Sequence, residues 1–272
     1  MIKVVAVLRY PMKSMRGEAV HSIHIDARGL AGDRRLALIE QETGLVASAK
    51  QPGKWGRLLQ CQATLPDDGV VRITLPSGRS VRADDPGIDS LLSEYVERDV
   101  VLSATSPADP HLEREWPSVV GLAPAEVIAS GHQITAMASA APGTFFDYAP
   151  VHLLTVSTLA ALRAGGDDPF DALRFRPNLI LDTPGEGFVE QQWLGRQLSL
   201  GDGVVLEVIE HTPRCAVPSL AQGDLPRSPE VLRTVVAKNR VSIDGRRFGC
   251  VGVYARVVQG GVIRAGDGGS LD

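Results

Sequence analysis

Cysteine is scarce in this chain. Its 272 residues include only Cys61, Cys215 and Cys250, far apart and with no CxxC pair. An odd, dispersed set excludes a disulfide framework, and the lack of paired thiols excludes a structural zinc site. An iron–sulfur cluster, which needs about four thiolates, is excluded on the same count. Long apolar runs are missing too. No stretch approaches the roughly 18 uninterrupted apolar residues of a membrane-crossing helix, and the start, MIKVVAVLRYPMKS, lacks the basic lead and apolar core of a signal peptide. The expectation is a soluble, cytoplasmic protein with no membrane partner. Neither a GxGxxG after a strand nor a GxxxxGK[ST] occurs, so nicotinamide, flavin and nucleotide chemistry have no support. An excess of basic charge is also absent. With 28 Lys+Arg against 32 Asp+Glu, the overall field offers no footprint for nucleic acid. Any bound anion must be held by a local basic pocket.

What the chain does have is alternation. IKVVAVLRY, AVHSIHID, RRLALIE, GVVRITLP, RSVRA, VVLSA, NLILD, QLSLG, GVVLEVIEHT and CVGVYARVV repeat apolar residues with period two between turn-like PDDG, PSG, GDG and QGG. These read as many short strands. Helical patterns are fewer: PGIDSLLSEYVER, VSTLAALRAG with Ser/Thr capping chemistry and a glycine stop, and SPEVLRTVVAKN with a Ser-Pro-Glu start. The fold class is mainly β with some α (α+β), with barrel-like sheets and enough chain for full hydrophobic cores. Proline-rich and small-residue stretches at 103–118 and 137–150 interrupt the strands, and the boundary is placed to give modules 1–118 and 119–272. No fixed-period repeat or low-complexity tract occurs.

Four stretches carry candidate chemistry. In YPMKSMRGEAV, a strand ending at Pro11 releases Lys13, Ser14 and Arg16, a set able to hold a phosphate; a solvated loop exit is the plain alternative. In GLAGDRRLALI, alternation sends Arg34 and Arg35 to opposite faces, so one points inward and needs an anion or the carboxylate of Asp33. In RFRPNLILD, Arg176 and Asn178 flank a proline, where they could face a heterocycle or a phosphate, or close a loop. In HTPRCAVPSL, Cys215 leaves the sheet between Pro213 and Pro218 with Arg214 beside it and His211 near, and cationic neighbours favour a thiolate. Cys61 and Cys250 sit in strand patterns, where a thiol is a small hydrophobe. His21 and His24 point to opposite faces and make a poor metal pair, and no spacing supports a nucleophilic triad. His152, in APVHLLTVS, lies at a loop-to-core junction, and a satisfied core histidine is the plain reading.

The order of these stretches resembles the MOSC proteins (molybdenum cofactor sulfurase C-terminal domain) that carry the family's N-terminal β-barrel module, such as the mitochondrial amidoxime-reducing component and its bacterial relatives. The matching residues are YPMKSMRGE, GLAGDRRLALI followed by TGLVASAKQP, FDYAPVHLLT, RFRPNLIL, the stretch at 193–202, PRC and FGCVGVYARVVQGGVIRAGD. The resemblance runs from about residue 2 to 267 and makes 1–118 the N-terminal β-barrel module and 119–272 the MOSC domain. It implies a molybdenum cofactor (molybdopterin-Mo), with Cys215 as metal ligand and catalytic residue. Lys13, Ser14 and Arg34 would hold the cofactor's phosphate, and Arg176, Asn178, Arg214 and the loop from Asp147 to His152 would address the pterin and the metal's surroundings. The implied activity is reduction of N-oxygenated small molecules. No cysteine-rich ferredoxin module follows the GVIRAGD strand, so an external electron-donor protein is the expected partner. A cofactor carrier and a Cys215 persulfide protein for sulfur transfer are the alternatives. The sequence departs from many relatives after the cysteine, where AVPSLAQGDLP replaces threonines and an aspartate-proline, and at Met15, where some have cysteine.

Overall fold

The computed structural model describes residues 1–137, 144–163 and 171–272. Seven strands close into a barrel: β1 (Ile2–Arg9), β2 (Val151–Thr155), β3 (Leu179–Asp182), β4 (Gln197–Leu200), β5 (Val204–Pro213), β6 (Arg246–Gln259) and β7 (Gly268–Leu271). Around the barrel the order is β2, β3, β1, β7, β4, β5, β6, and β6 pairs back to β2. All pairings are antiparallel except β2 with β3, which run parallel. The β2–β3 crossover is made by helix α2 (Val156–Arg163), as parallel neighbours require a long connection. Closure removes the open sheet edges, and the inward positions of the alternating strands fill the interior with Val4, Val7, Leu153, Leu179, Leu198, Leu206, Val208 and Val253.

The first strand of the chain is therefore built into the barrel of its C-terminal half, between β3 and β7. A second core lies in the segment after Arg9. Short strands Ala37–Glu40, Gln62–Thr64, Arg72–Thr74, Ser80–Arg82 and Val100–Ser103 pack with helix α1 (Ile88–Val96) around Met12, Met15, Leu38, Trp55, Ile73 and Leu92. A further helix, α3 (Glu230–Lys238), lays Val231 and Val235 on Leu154, Leu159 and Val251.

The three helical patterns and all ten strand patterns correspond to helices and strands. Two local details differ. Thr155, just ahead of the VST stretch expected to cap the helix, caps α2 by accepting from the Thr158 backbone N–H at 3.2 Å, and Pro229 caps α3, where Ser228 gives no side-chain cap bond. Cys61 precedes its strand by one residue, at the end of a 3-10 turn. The glycine stop expected after α2 and part of the 137–150 stretch lie outside the described residues. Among the described residues, no helix is long and apolar enough to cross a membrane.

Candidate functional site

The strand pair β5 and β6 explains where Cys215 goes. His211 pairs with Val253 and Pro213 with Cys250, so Val251 and Gly252 together oppose the single residue Thr212. This is a β-bulge, and Gly252 takes the left-handed conformation it needs, with φ +76°. The bulge aims the Val251 carbonyl at two groups: the His152 ring Nε2 at 3.2 Å and Arg214 Nη1 at 3.4 Å. Pro213 then ends the ladder. Arg214 and Cys215 emerge into a cleft that is open on one side to solvent.

Nine of the candidate residues line this one cleft: Lys13, Ser14, Arg34, Asp147, His152, Arg176, Asn178, Arg214 and Cys215. Arg16 and His211 do not line it, and Arg35 is exposed on the outer surface. Cys61 and Cys250 are fully buried, and burial pushes their thiols up to about 11 and about 12. Cys215, packed at the edge of Ala49, Leu59 and Val217, is the partly exposed thiol.

Backbone strain delivers two of the cations, Arg34 and Arg176, and the Ser14 hydroxyl. Ser14, Arg34 and Arg176 all have positive φ, at 65°, 44° and 55°, which non-glycine residues adopt at a cost of about 1–2 kcal/mol each. Arg34 is thus delivered by a left-handed turn ahead of its strand, which begins at Ala37, rather than by strand alternation. Arg34 and Arg176 each lie 4.4 Å from the centre of the Tyr10 ring. Arg176 also donates to the Met15 carbonyl at 2.7 Å. Burial and the nearby Arg34 charge lower its guanidinium to about 10. Arg34 pairs with buried Asp33, the partner anticipated from the sequence.

Lys13 is buried, and its ammonium donates to the Phe145 carbonyl at 2.9 Å and to Asp147. Burial lowers its pKa against the pull of Asp147. Asp147 also binds Lys50 at 2.9 Å. Burial pushes the Asp147 carboxyl up, but the two ammonium groups win and hold it well below the usual carboxylate range. Ser14 Oγ accepts from the Ala49 N–H at 2.9 Å, which leaves its own proton to donate.

Two of the anticipated ligands face inward instead. Asn178 donates to Asp33 at 2.9 Å and to the Leu8 carbonyl at 3.4 Å, and accepts from the His152 N–H at 3.1 Å, so its amide is committed to the frame. His152 is lowered to about 3 by burial and the Arg214 charge, so it is neutral and donates from Nε2 to Val251. It positions the bulge. Lys50, Arg114 and Tyr254 line the cleft without having been singled out. Tyr254, raised to about 12 chiefly by burial, lies in electrostatic reach of Arg214 and Cys215, and its ring stacks 5.3 Å from that of Tyr148 on the cleft lip.

In sum, the cleft wall presents six cations (Lys13, Arg34, Lys50, Arg114, Arg176, Arg214) against one carboxylate, Asp147. Arg214 Nε is buried without a partner, and buried donors in a cationic cleft ask for an anion. The fold and cleft define a closed β-barrel protein with a site for an anionic group that reaches a cysteine thiol. More particularly, residues 141–268 match the MOSC domain and residues 1–101 the MOSC N-terminal beta barrel domain, and the chain belongs to this family of molybdenum-cofactor-associated proteins. Among solved structures it is similar to the YuaD protein from Bacillus subtilis, with TM-score 0.46 and 11% identity over 98% of this chain and 93% of that one. It is also similar to YiiM from Geobacillus stearothermophilus, with TM-score 0.32 and 21% identity over 46% of this chain and 54% of that one. No curated protein matches the chain.

The residues present fit the cofactor. A phosphate suits the Lys13, Ser14, Lys50 and Arg34 end, Arg176 and Arg214 offset further negative charge, and a soft sulfur donor stands at Cys215.

Proposed function

We propose that the protein binds molybdenum cofactor in this cleft and reduces N-hydroxylated or otherwise N-oxygenated small molecules, drawing electrons from an external redox protein. The observation that carries the reading is the pairing of one partly exposed thiol with a wall of six cations and one carboxylate. When bound, the cofactor supplies oxygen-atom transfer coupled to two electrons, at a metal that sulfur donors suit. The chain's own residues do the holding. Cys215, the partly exposed cysteine of the cleft, offers the protein's sulfur donor. Lys13, Lys50 and Arg34 clamp the phosphate, with Ser14 donating its free hydroxyl proton. Reduction of an N–OH group to N–H takes up two protons and releases water. Tyr254, which lines the cleft and keeps its phenolic proton at neutral pH, is the residue we assign as a proton donor in this reduction.

The choice of N-oxygenated substrates rests on the resemblance of the sequence motifs to MOSC proteins such as the mitochondrial amidoxime-reducing component. The test is turnover of benzamidoxime by protein purified from cells that make the cofactor, with reduced methyl viologen as electron source. The reading expects turnover that Cys215→Ser abolishes and that requires bound molybdenum. Turnover without molybdenum would overturn it. Bound molybdenum without any turnover would give the cleft to cofactor carriage, and a sulfane-sulfur mass increment on Cys215 without metal would give it to sulfur transfer.

A further inference from the structure

The segment that carries Cys215 has a second side. Ala216, Ser219 and Leu220, which follow the cysteine directly, form a wall of a separate groove of about 1620 Å³. Its other walls are the linker residues Pro117 and Val120 and the α3 residues Leu232 and Val236. Val120 stands 94% exposed at its lip. One loop thus separates the cleft from the groove, and it is rigidly held. Arg174, 1% exposed, donates to the carbonyls of Pro218 at 3.3 Å, Leu220 at 3.2 Å and Pro226 at 2.8 Å.

The charge around the groove runs against that of the whole molecule. The chain has a formal charge of −4, yet residues 221–249, which contain α3 and the Arg240–Ile243 strand with its turn, hold six basic residues and three acidic ones. The six are Arg227, Arg233, Lys238, Arg240, Arg246 and Arg247, all exposed. Arg227 and Arg233 lie on the groove itself, against one acidic lining residue, Glu115. Among the described residues, Arg227, Arg240 and Arg247 have no carboxylate partner, and Arg233 and Arg246 meet exposed Glu230 and Glu126. An apolar floor with an arginine rim is the composition of a protein-docking patch, since arginine is enriched at such interfaces and rim charges set association rate.

The geometry points to this groove as the docking site of a small acidic one-electron carrier protein, seated against the outer face of the Cys215 loop. This rests on the reductase reading, which requires an external electron source. The apolar floor gives contact, the arginine rim steers the acidic partner, and the Arg174-pinned loop is the short route from the groove to Cys215.

The test uses the cofactor-loaded full chain and a strongly acidic [2Fe–2S] ferredoxin as donor, with reduced methyl viologen as the small donor that needs no docking. Arg227→Glu/Arg233→Glu is compared with Arg79→Glu/Arg82→Glu, which makes the same change in net charge on the far N-terminal hairpin. The groove variant is expected to slow ferredoxin-driven reduction at least tenfold at low salt and to flatten its salt dependence. The hairpin variant should change it less than twofold, and viologen-driven turnover should persist in both. With viologen turnover intact, equal loss in both variants, or loss in neither, overturns the docking site. So does a dimer that sedimentation shows is broken by the groove variant, which gives the groove to a second copy. Absence of viologen-driven turnover in the unsubstituted protein overturns the reductase reading, and with it the electron carrier as partner.

Discussion

Gly252 and Gly245 share a positive φ, +76° in each, but not an environment. A Cβ added at Gly245 meets nothing within 4 Å. A Cβ added at Gly252 stands 2.4 Å from His152 Nε2 and 2.5 Å from the Leu153 carbonyl oxygen. Both alanine substitutions carry the left-handed strain of about 1–2 kcal/mol, partly offset by the lower entropy of the unfolded chain. Gly245→Ala should therefore cost about 1 kcal/mol. Gly252→Ala must in addition move a backbone carbonyl of β2 and break the Nε2 bond to Val251, which adds overpacking of roughly 1–3 kcal/mol and a lost buried hydrogen bond of about 1 kcal/mol. The sum is about 3–5 kcal/mol. For a chain of this size that lowers the thermal midpoint by roughly 6–20 °C, against about 2–4 °C for Gly245→Ala. Differential scanning calorimetry of the pair reads the steric part alone, because the strain is common to both. Equal midpoints would refute the account of the bulge as the device that seats His152 and Arg214 behind Cys215.

Three further outcomes follow. His152 is neutral in the folded protein, while in the unfolded chain it takes a proton below about pH 6.5. Its folded value being lowered to about 3, this group makes stability fall as pH drops from about 6.5 toward 3, by up to about 1.4 kcal/mol per pH unit; urea unfolding at pH 7 and pH 5 should show a smaller difference in His152→Gln, and an unchanged difference would contradict it. Asp147 sits between Lys13 and Lys50 where an anion would bind, so Asp147→Asn should tighten binding of inorganic pyrophosphate by about fivefold, roughly 1 kcal/mol; calorimetric titration showing weaker binding would refute this competition. Arg174→Met leaves the carbonyls of Pro218, Leu220 and Pro226 without their donor and should destabilise by about 3–5 kcal/mol, with faster amide exchange at residues 216–226 as the check and unaltered exchange as the contrary result.

Strand alternation made most of the barrel legible, because β1, β3, β4, β5 and β6 carry alternating apolar runs; β2, buried along its whole length, and β7, which reads GGSL, carry no such signal. The site was legible in part. Lys13, Arg34, Arg214 and Cys215 stand beside proline or glycine punctuation that releases them from strands, and that signal is local. Asn178 and His152 carry the same outward signs, yet their polar atoms are spent on Asp33, Leu8 and Val251. Which carbonyls need a donor depends on how distant strands meet, and spacing does not encode that. Lys50, Arg114 and Tyr254 join the cleft from segments that look like ordinary loop and strand. Gly252 could have been found: a glycine inside CVGVYARVV, a strand pattern of otherwise bulky residues, is a bulge signal.

The central claim is that Cys215 gives its sulfur to molybdenum in this cleft. Molybdenum-edge X-ray absorption on protein purified from cells that make the cofactor, compared with Cys215→Ser, tests it most directly. The account predicts about one molybdenum per chain and the loss of one sulfur neighbour in the variant. An unchanged sulfur count in the variant, or no molybdenum in the unsubstituted protein, would contradict it.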